Sequence, residues 1–135
     1  MSKDVVERAR SLVGTRFRAQ GRDPRLGLDC LGLAMIAYCI DGAKIRRDYR
    51  LSGDHRRELM VGLVGKFRRV APSQRRAGDL MLMRVAADQY HLAIRTHAGF
   101  VHADARRGVV ETPGAPEWQV VATYRKRVRA ARGKS

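Results

Sequence analysis

Apolar residues recur at helical spacing near the start of the chain, where Val5, Val6, Ala9, Leu12 and Val13 share one face and Gly14 follows as a stop. That pattern predicts a first amphipathic helix. From Thr15 to Leu28 the chain is rich in Arg and Gly with Pro24 in the middle, and it reads as a loop. The next segment differs sharply: Leu31, Leu33, Ala34, Met35, Ile36, Ala37, Tyr38, Cys39 and Ile40 are apolar on every side, so a helix buried all round is expected. Asp29 is its natural N-cap and Gly42 its natural stop. After a polar stretch, Leu59, Met60, Leu63, Val64 and Phe67 mark one face of a third helix, weakened by Gly62 and Gly65. Short strands follow at Leu80 to Val85, Leu92 to Thr96, Gly99 to Ala103, Gly108 to Glu111 and Val120 to Arg125, close enough for antiparallel pairing. Helices first and then a sheet predict an α+β fold.

Composition narrows this to one domain. The chain has 135 residues, 44% of them hydrophobic, enough to bury a core. We expect the domain to occupy residues 1–125, with 126–135 as a basic tail that is solvated or docks elsewhere. No apolar run is long enough for a membrane span, and the polar start Met1-Ser2-Lys3-Asp4 lacks the order of a signal peptide. The expectation is synthesis in the cytoplasm without export by the secretory route. The formal charge of +15 invites a nucleic-acid partner, but the basic residues are scattered, and neither zinc-finger spacing nor an aromatic-studded strand accompanies them. Nucleic acid is therefore an unlikely partner.

Two cysteines exclude a disulfide scaffold. On one helix, Cys30 and Cys39 would stand roughly 13 Å apart along the axis, beyond disulfide reach. Cys39, mid-helix, reads as structural. Cys30 follows the N-cap, where unpaired backbone N–H groups and the helix dipole favour a thiolate. It is a candidate nucleophile, with a buried structural thiol as the alternative. A thiolate nucleophile needs a base. His91 and His102 lie on consecutive strands, and a two-residue turn at Thr96-His97 would set them directly opposite each other, one ring orienting the other. Two unrelated histidines are the alternative. The spacing of His91, His97 and His102 matches no zinc pattern, and His55 carries only a helix-terminus signal, so no metal or other cofactor is expected.

These residues, in this order, resemble the NlpC-type cell-wall cysteine peptidases, a papain-like family. The resemblance rests on Gly14-Thr15-Arg16-Phe17, on Gly27-Leu28-Asp29-Cys30-Leu31-Gly32-Leu33, and on Ala77-Gly78-Asp79-Leu80. His91-Leu92-Ala93-Ile94 and Val101-His102-Ala103 complete it. It implies Cys30 as nucleophile, His91 as general base and acid, and His102 as the group orienting His91. The implied reaction is hydrolysis of a stem-peptide amide in peptidoglycan, typically between D-γ-glutamate and the following diamino acid, with Asp29 holding the free amine of a short stem peptide. The family commonly has Ser after the cysteine and Tyr in the lead-in loop. Here Leu31 and Phe17 stand there, each removing a hydroxyl from the expected substrate side. The stretch Gly21-Arg22-Asp23-Pro24 is similar to the branch found in phage tails and gene transfer agents, which implies tail or baseplate proteins as partners and action at the cell wall from within a particle. The competing expectation is a structural tail or baseplate subunit that keeps the peptidase fold with little or no activity.

Overall fold

The computed structural model describes residues 4–40, 66–87 and 89–127. Helix α1 (Val5–Ser11) begins where Asp4 and Glu7 form a reciprocal capping box, each side chain accepting the other's backbone N–H. It buries Val6 and Ala9, the inward positions of the sequence pattern. Two very short strands, β1 (Arg22–Asp23) and β2 (Gly27–Leu28), then pair as a small hairpin inside the segment read as loop. Helix α2 (Cys30–Ala37) starts at the Asp29 cap and buries seven of its eight residues, as its all-round apolar pattern requires.

Among the described residues beyond 65, apart from one 3-10 turn at Pro72–Gln74, the regular structure is sheet. Strands β3 (Phe67–Arg69), β4 (Leu80–Ala86), β5 (Gln89–Arg95), β6 (Gly99–Asp104), β7 (Gly108–Pro113) and β8 (Gln119–Lys126) form one antiparallel sheet in the order β3-β8-β4-β5-β6-β7. Alternation divides the side chains between two faces. Leu80, Leu82, Leu92, Ile94, Val101 and Ala103 join α2 in the main core. Met81, Met83, Ala93 and Phe100 form a second, smaller cluster. Helices packed on one antiparallel sheet make this the expected α+β architecture.

Several expectations change. Phe67, assigned to a third helix, belongs to β3, where it alone points inward while Arg68 and Arg69 are exposed. The rest of that helix, together with Gly42 and His55, lies outside the described residues. Cys39 is not mid-helix. It follows the end of α2, exposed, with a φ of 56°. Lys126, assigned to the tail, is the last residue of β8, and its Nζ donates to the Tyr38 carbonyl, so the ordered sheet runs past the expected domain boundary.

Two glycines explain how the lead-in hairpin seats on the second helix. A Cβ on Gly32 would stand 2.0 Å from the Gly21 carbonyl oxygen, and one on Gly21 would stand 2.2 Å from that of Gly27. Backbone packs on backbone here, and only glycine allows that approach. The far end of β4 is tied down differently, by the buried Asp79, which accepts from Arg125 Nε at 2.7 Å and from the Arg76 N–H at 2.9 Å.

Candidate active site

The cysteine end of the site is built by Asp29. One of its carboxylate oxygens accepts from the Gly32 N–H at 2.8 Å, capping the helix, and the other from the Gln20 N–H at 2.8 Å, clamping the lead-in loop onto it. Asp29 is completely buried. This corrects the expectation that it faces the substrate, since both oxygens are engaged by backbone inside the protein. Leu31 is corrected likewise: at 1% exposure it belongs to the core, so the residue after the cysteine packs against hydrocarbon and takes nothing from a substrate surface. Phe17 does line the groove described below, half-buried, held by a parallel bridge to Leu28.

Cys30 itself is 1% exposed. The N–H groups of Leu92, Leu31 and Cys30 act on its sulfur in the direction the helix terminus predicts, favouring the thiolate. They lose. Burial, reinforced by the negative charge of Asp29, pushes the thiol up to about 12, so at neutral pH the resting sulfur is protonated. Burial outweighs the helix terminus, and the carboxylate that caps the helix adds to it.

The histidines come together, though not as drawn from the sequence. The β5–β6 ladder pairs Ala93 with His102, Ile94 with Val101 and Arg95 with Phe100, and the Thr96 N–H bonds the Gly99 carbonyl. The turn is therefore His97-Ala98, shifted by one residue from Thr96-His97, and the register slips by two. A two-residue slip preserves the face. His91 and His102 are diagonal neighbours rather than directly opposed, and imidazole length closes the gap: His91 Nε2 lies 3.1 Å from His102 Nδ1. The next contact outward runs from His102 Nε2 to Thr112 Oγ1 at 3.5 Å.

These contacts engage His91 Nε2 with His102 Nδ1, and His102 Nε2 with Thr112 Oγ1. If His91 Nδ1 carries the lone pair, Nε2 carries the hydrogen and donates to His102 Nδ1, and His102 holds its own proton on Nε2. Burial and the neighbouring His102 push His91 down to about 4, and burial lowers His102 as well, against the pull of Asp104 on both rings. Both rings are neutral at pH 7.

Leu92 directly follows His91; its backbone N–H favours the Cys30 thiolate, and its side chain packs into the main core with α2. In front of the rings lies an open groove of about 430 Å³, lined by His91 and His102 together with Phe17, Gln89, Tyr90, Asp104 and Trp118 among others. Cys30 is not among the residues that line it. Trp118 and Thr112 were missed from the sequence. Neither belongs to a periodic pattern that marks a site, and only the fold brings them to the rings. Asp104 is the acid of the groove, held ionised at about 2 first by the Arg107 N–H and then by that of Arg106.

Residues 14–127 match the NlpC/P60 family. The chain belongs to that family. The NlpC/P60 families are cysteine peptidases of the cell wall, and the fold agrees: the crystal structure of the NlpC/p60 domain of peptidoglycan hydrolase SagA superposes with a TM-score of 0.57 at 26% identity, covering 86% of this chain and 94% of that one. Dipeptidyl-peptidase 6 of Lysinibacillus sphaericus is 43% identical over 49 residues, 36% of this chain but only 18% of that enzyme. This NlpC/P60 domain therefore matches a small part of that curated relative. No helix among the described residues is long and apolar enough to cross a membrane.

Proposed function

We propose that this NlpC/P60 domain hydrolyses an amide of the peptidoglycan stem peptide, the bond between D-γ-glutamate and the diamino acid, with Cys30 as nucleophile, His91 as general base and acid, and His102 orienting His91. The observation that carries the reading is the 3.1 Å contact between the two imidazoles. Such a pair supplies what a thiol needs: a neutral base with a free lone pair and a second group holding its tautomer.

The reaction starts from a neutral thiol and a neutral imidazole. As the sulfur bonds to the scissile carbonyl carbon, its proton passes to His91 Nδ1 and the carbonyl electrons move onto oxygen. The helix-terminal N–H groups stabilise that oxyanion. The C–N bond then breaks, the leaving nitrogen takes the proton from His91, and a thioester remains on Cys30. Water attacks the thioester, giving one proton to His91, and collapse returns the thiol and releases the new carboxylic acid.

We further read the domain as carried by a phage-like tail or gene transfer agent particle, in contact with tail or baseplate proteins and acting at the wall. This reading is supported by the Gly21-Arg22-Asp23-Pro24 hairpin that sits on the helix start, and by a +15 charge suited to anionic wall polymers or an acidic partner. The burial of Cys30 favours a second reading, a structural tail subunit with little activity, because the residue is 1% exposed and does not line the groove in front of the histidines.

Purified cell wall separates the two. The wild-type protein is expected to release stem-peptide fragments, and Cys30→Ala to release none. Equal release from both proteins excludes this site as the source of hydrolysis. Particles carrying Cys30→Ala are expected to assemble and then fail at the wall; normal delivery by such particles would favour the structural reading.

A further inference from the structure

Trp118 is the one tryptophan of the chain and stands immediately before β8, more than a third of its surface open to solvent. Its ring meets both members of the histidine pair edge to face, with centroids 6.1 Å from His91 at 83° and 5.7 Å from His102 at 75°. Phe100 approaches His102 from the sheet side, 5.1 Å away. The indole packs edge to face on two hydrogen-bonded rings whose attracting charge, Asp104, lies at the end of β6.

We propose that Trp118 is a positioning residue for this site: its indole closes the solvent side of the His91–His102 hydrogen bond and holds both rings in the orientation that leaves His91 Nδ1 for the sulfur. The claim builds on the reading of His91 as base. Three physical consequences follow. Water is kept from competing for His91 Nε2 and His102 Nδ1, the ring planes are fixed by edge-to-face contact, and the imidazoles stay neutral because the charged form is denied solvent. The groups acting on the pair are Asp104 and Arg107 from the end of β6 and its turn, and Thr112 from β7. Asp104 favours protonated rings, so the cover works against an existing attraction.

The test uses ring titrations followed by nuclear magnetic resonance in the full chain, for the wild type, Trp118→Ala and Trp118→Phe. Removing the cover is expected to raise the His91 titration by at least about one pH unit, with Phe recovering most of the difference. The indole face also attracts an imidazolium, so loss of that attraction would move the titration down; an unchanged or lowered value in Trp118→Ala overturns the proposal. Wall-peptide hydrolysis should show kcat reduced about tenfold and its acid limb displaced upward in Trp118→Ala. A loss confined to KM would make Trp118 a groove wall and overturn the positioning role. The titration needs no turnover, so a wild type that cleaves no wall peptide would defeat the reading of function while the ring shift still decides the role of Trp118. Indole fluorescence, quenched by a protonated imidazole in contact, gives a second readout from the same single residue.

Discussion

The two faces of the β4–β6 region do opposite jobs with alternate residues of the same strands. The face formed by Leu80, Leu82, Leu92, Ile94, Val101 and Ala103 is continuous hydrocarbon closed by the second helix. The other has a short patch of Met81, Met83, Ala93 and Phe100, and beyond it His91 and His102 look into an open groove. The first face supplies rigidity and packs against the helix that begins at Cys30. The second carries the histidines, and their placement is only as good as the register that the first face enforces. The strand register that brings the two histidines together is thus set by residues on the opposite face of the sheet.

Substitutions on the two faces should therefore separate activity from stability. The largest effect is expected from His91→Ala, with peptide release reduced about a thousandfold or more and a melting midpoint that changes little, measured by fragment analysis beside thermal unfolding. Leu82→Ala, on the hydrocarbon face, should reverse that profile. A fully buried leucine lost from a packed core costs about 2–5 kcal/mol in chemical denaturation, while the folded fraction keeps its turnover. If Leu82→Ala abolished turnover in protein still folded, the division of labour between the faces would be wrong.

Acid should act through the groove face. Below pH 6.5 the unfolded chain protonates His91 while the folded chain resists until about pH 4. The unfolded state then binds more protons, so stability falls as pH drops through that window, by on the order of 3 kcal/mol when complete. Denaturation midpoints between pH 7 and 4 should show the decline, and His91→Ala should flatten it. At the helix end, Asp29→Asn keeps the cap to Gly32 but leaves the Gln20 N–H facing an amide that can offer it nothing. A loss of about 1–3 kcal/mol is expected, with the thiol titrating lower once the charge is gone, as read from the pH profile of alkylation. The smallest effect belongs to Thr112→Val. At 3.5 Å its contact to His102 is long, and a few-fold fall in kcat is expected.

Much of this arrangement could be read from residue order. The strands from β4 onward were placed by their apolar runs and intervening turns, and the start of the second helix by its Asp29 cap, although that helix ends at Ala37, short of its expected stop. Parity survived a wrong turn assignment, which is why the two histidines met despite an incorrect register. The β1–β2 hairpin was hidden because its strands are two residues each and rich in arginine; its stability comes from glycine packing against the helix, a tertiary contact with no local signal. Strand β3 was hidden because a lone inward Phe67 gives no alternation to see. Asp29, Leu31 and the state of Cys30 were misjudged for a shared reason: burial at a helix terminus is decided by what packs over it, here the lead-in loop and β5. Trp118 reaches the rings across the sheet, beyond any motif.

The unequal fate of the two thiols matters at the bench. A maleimide or iodoacetamide meets Cys39 first, open at the far end of the same helix whose beginning hides Cys30. One equivalent of label with full residual turnover would report on the wrong sulfur, so covalent profiling of this enzyme class member belongs in a Cys39→Ser background.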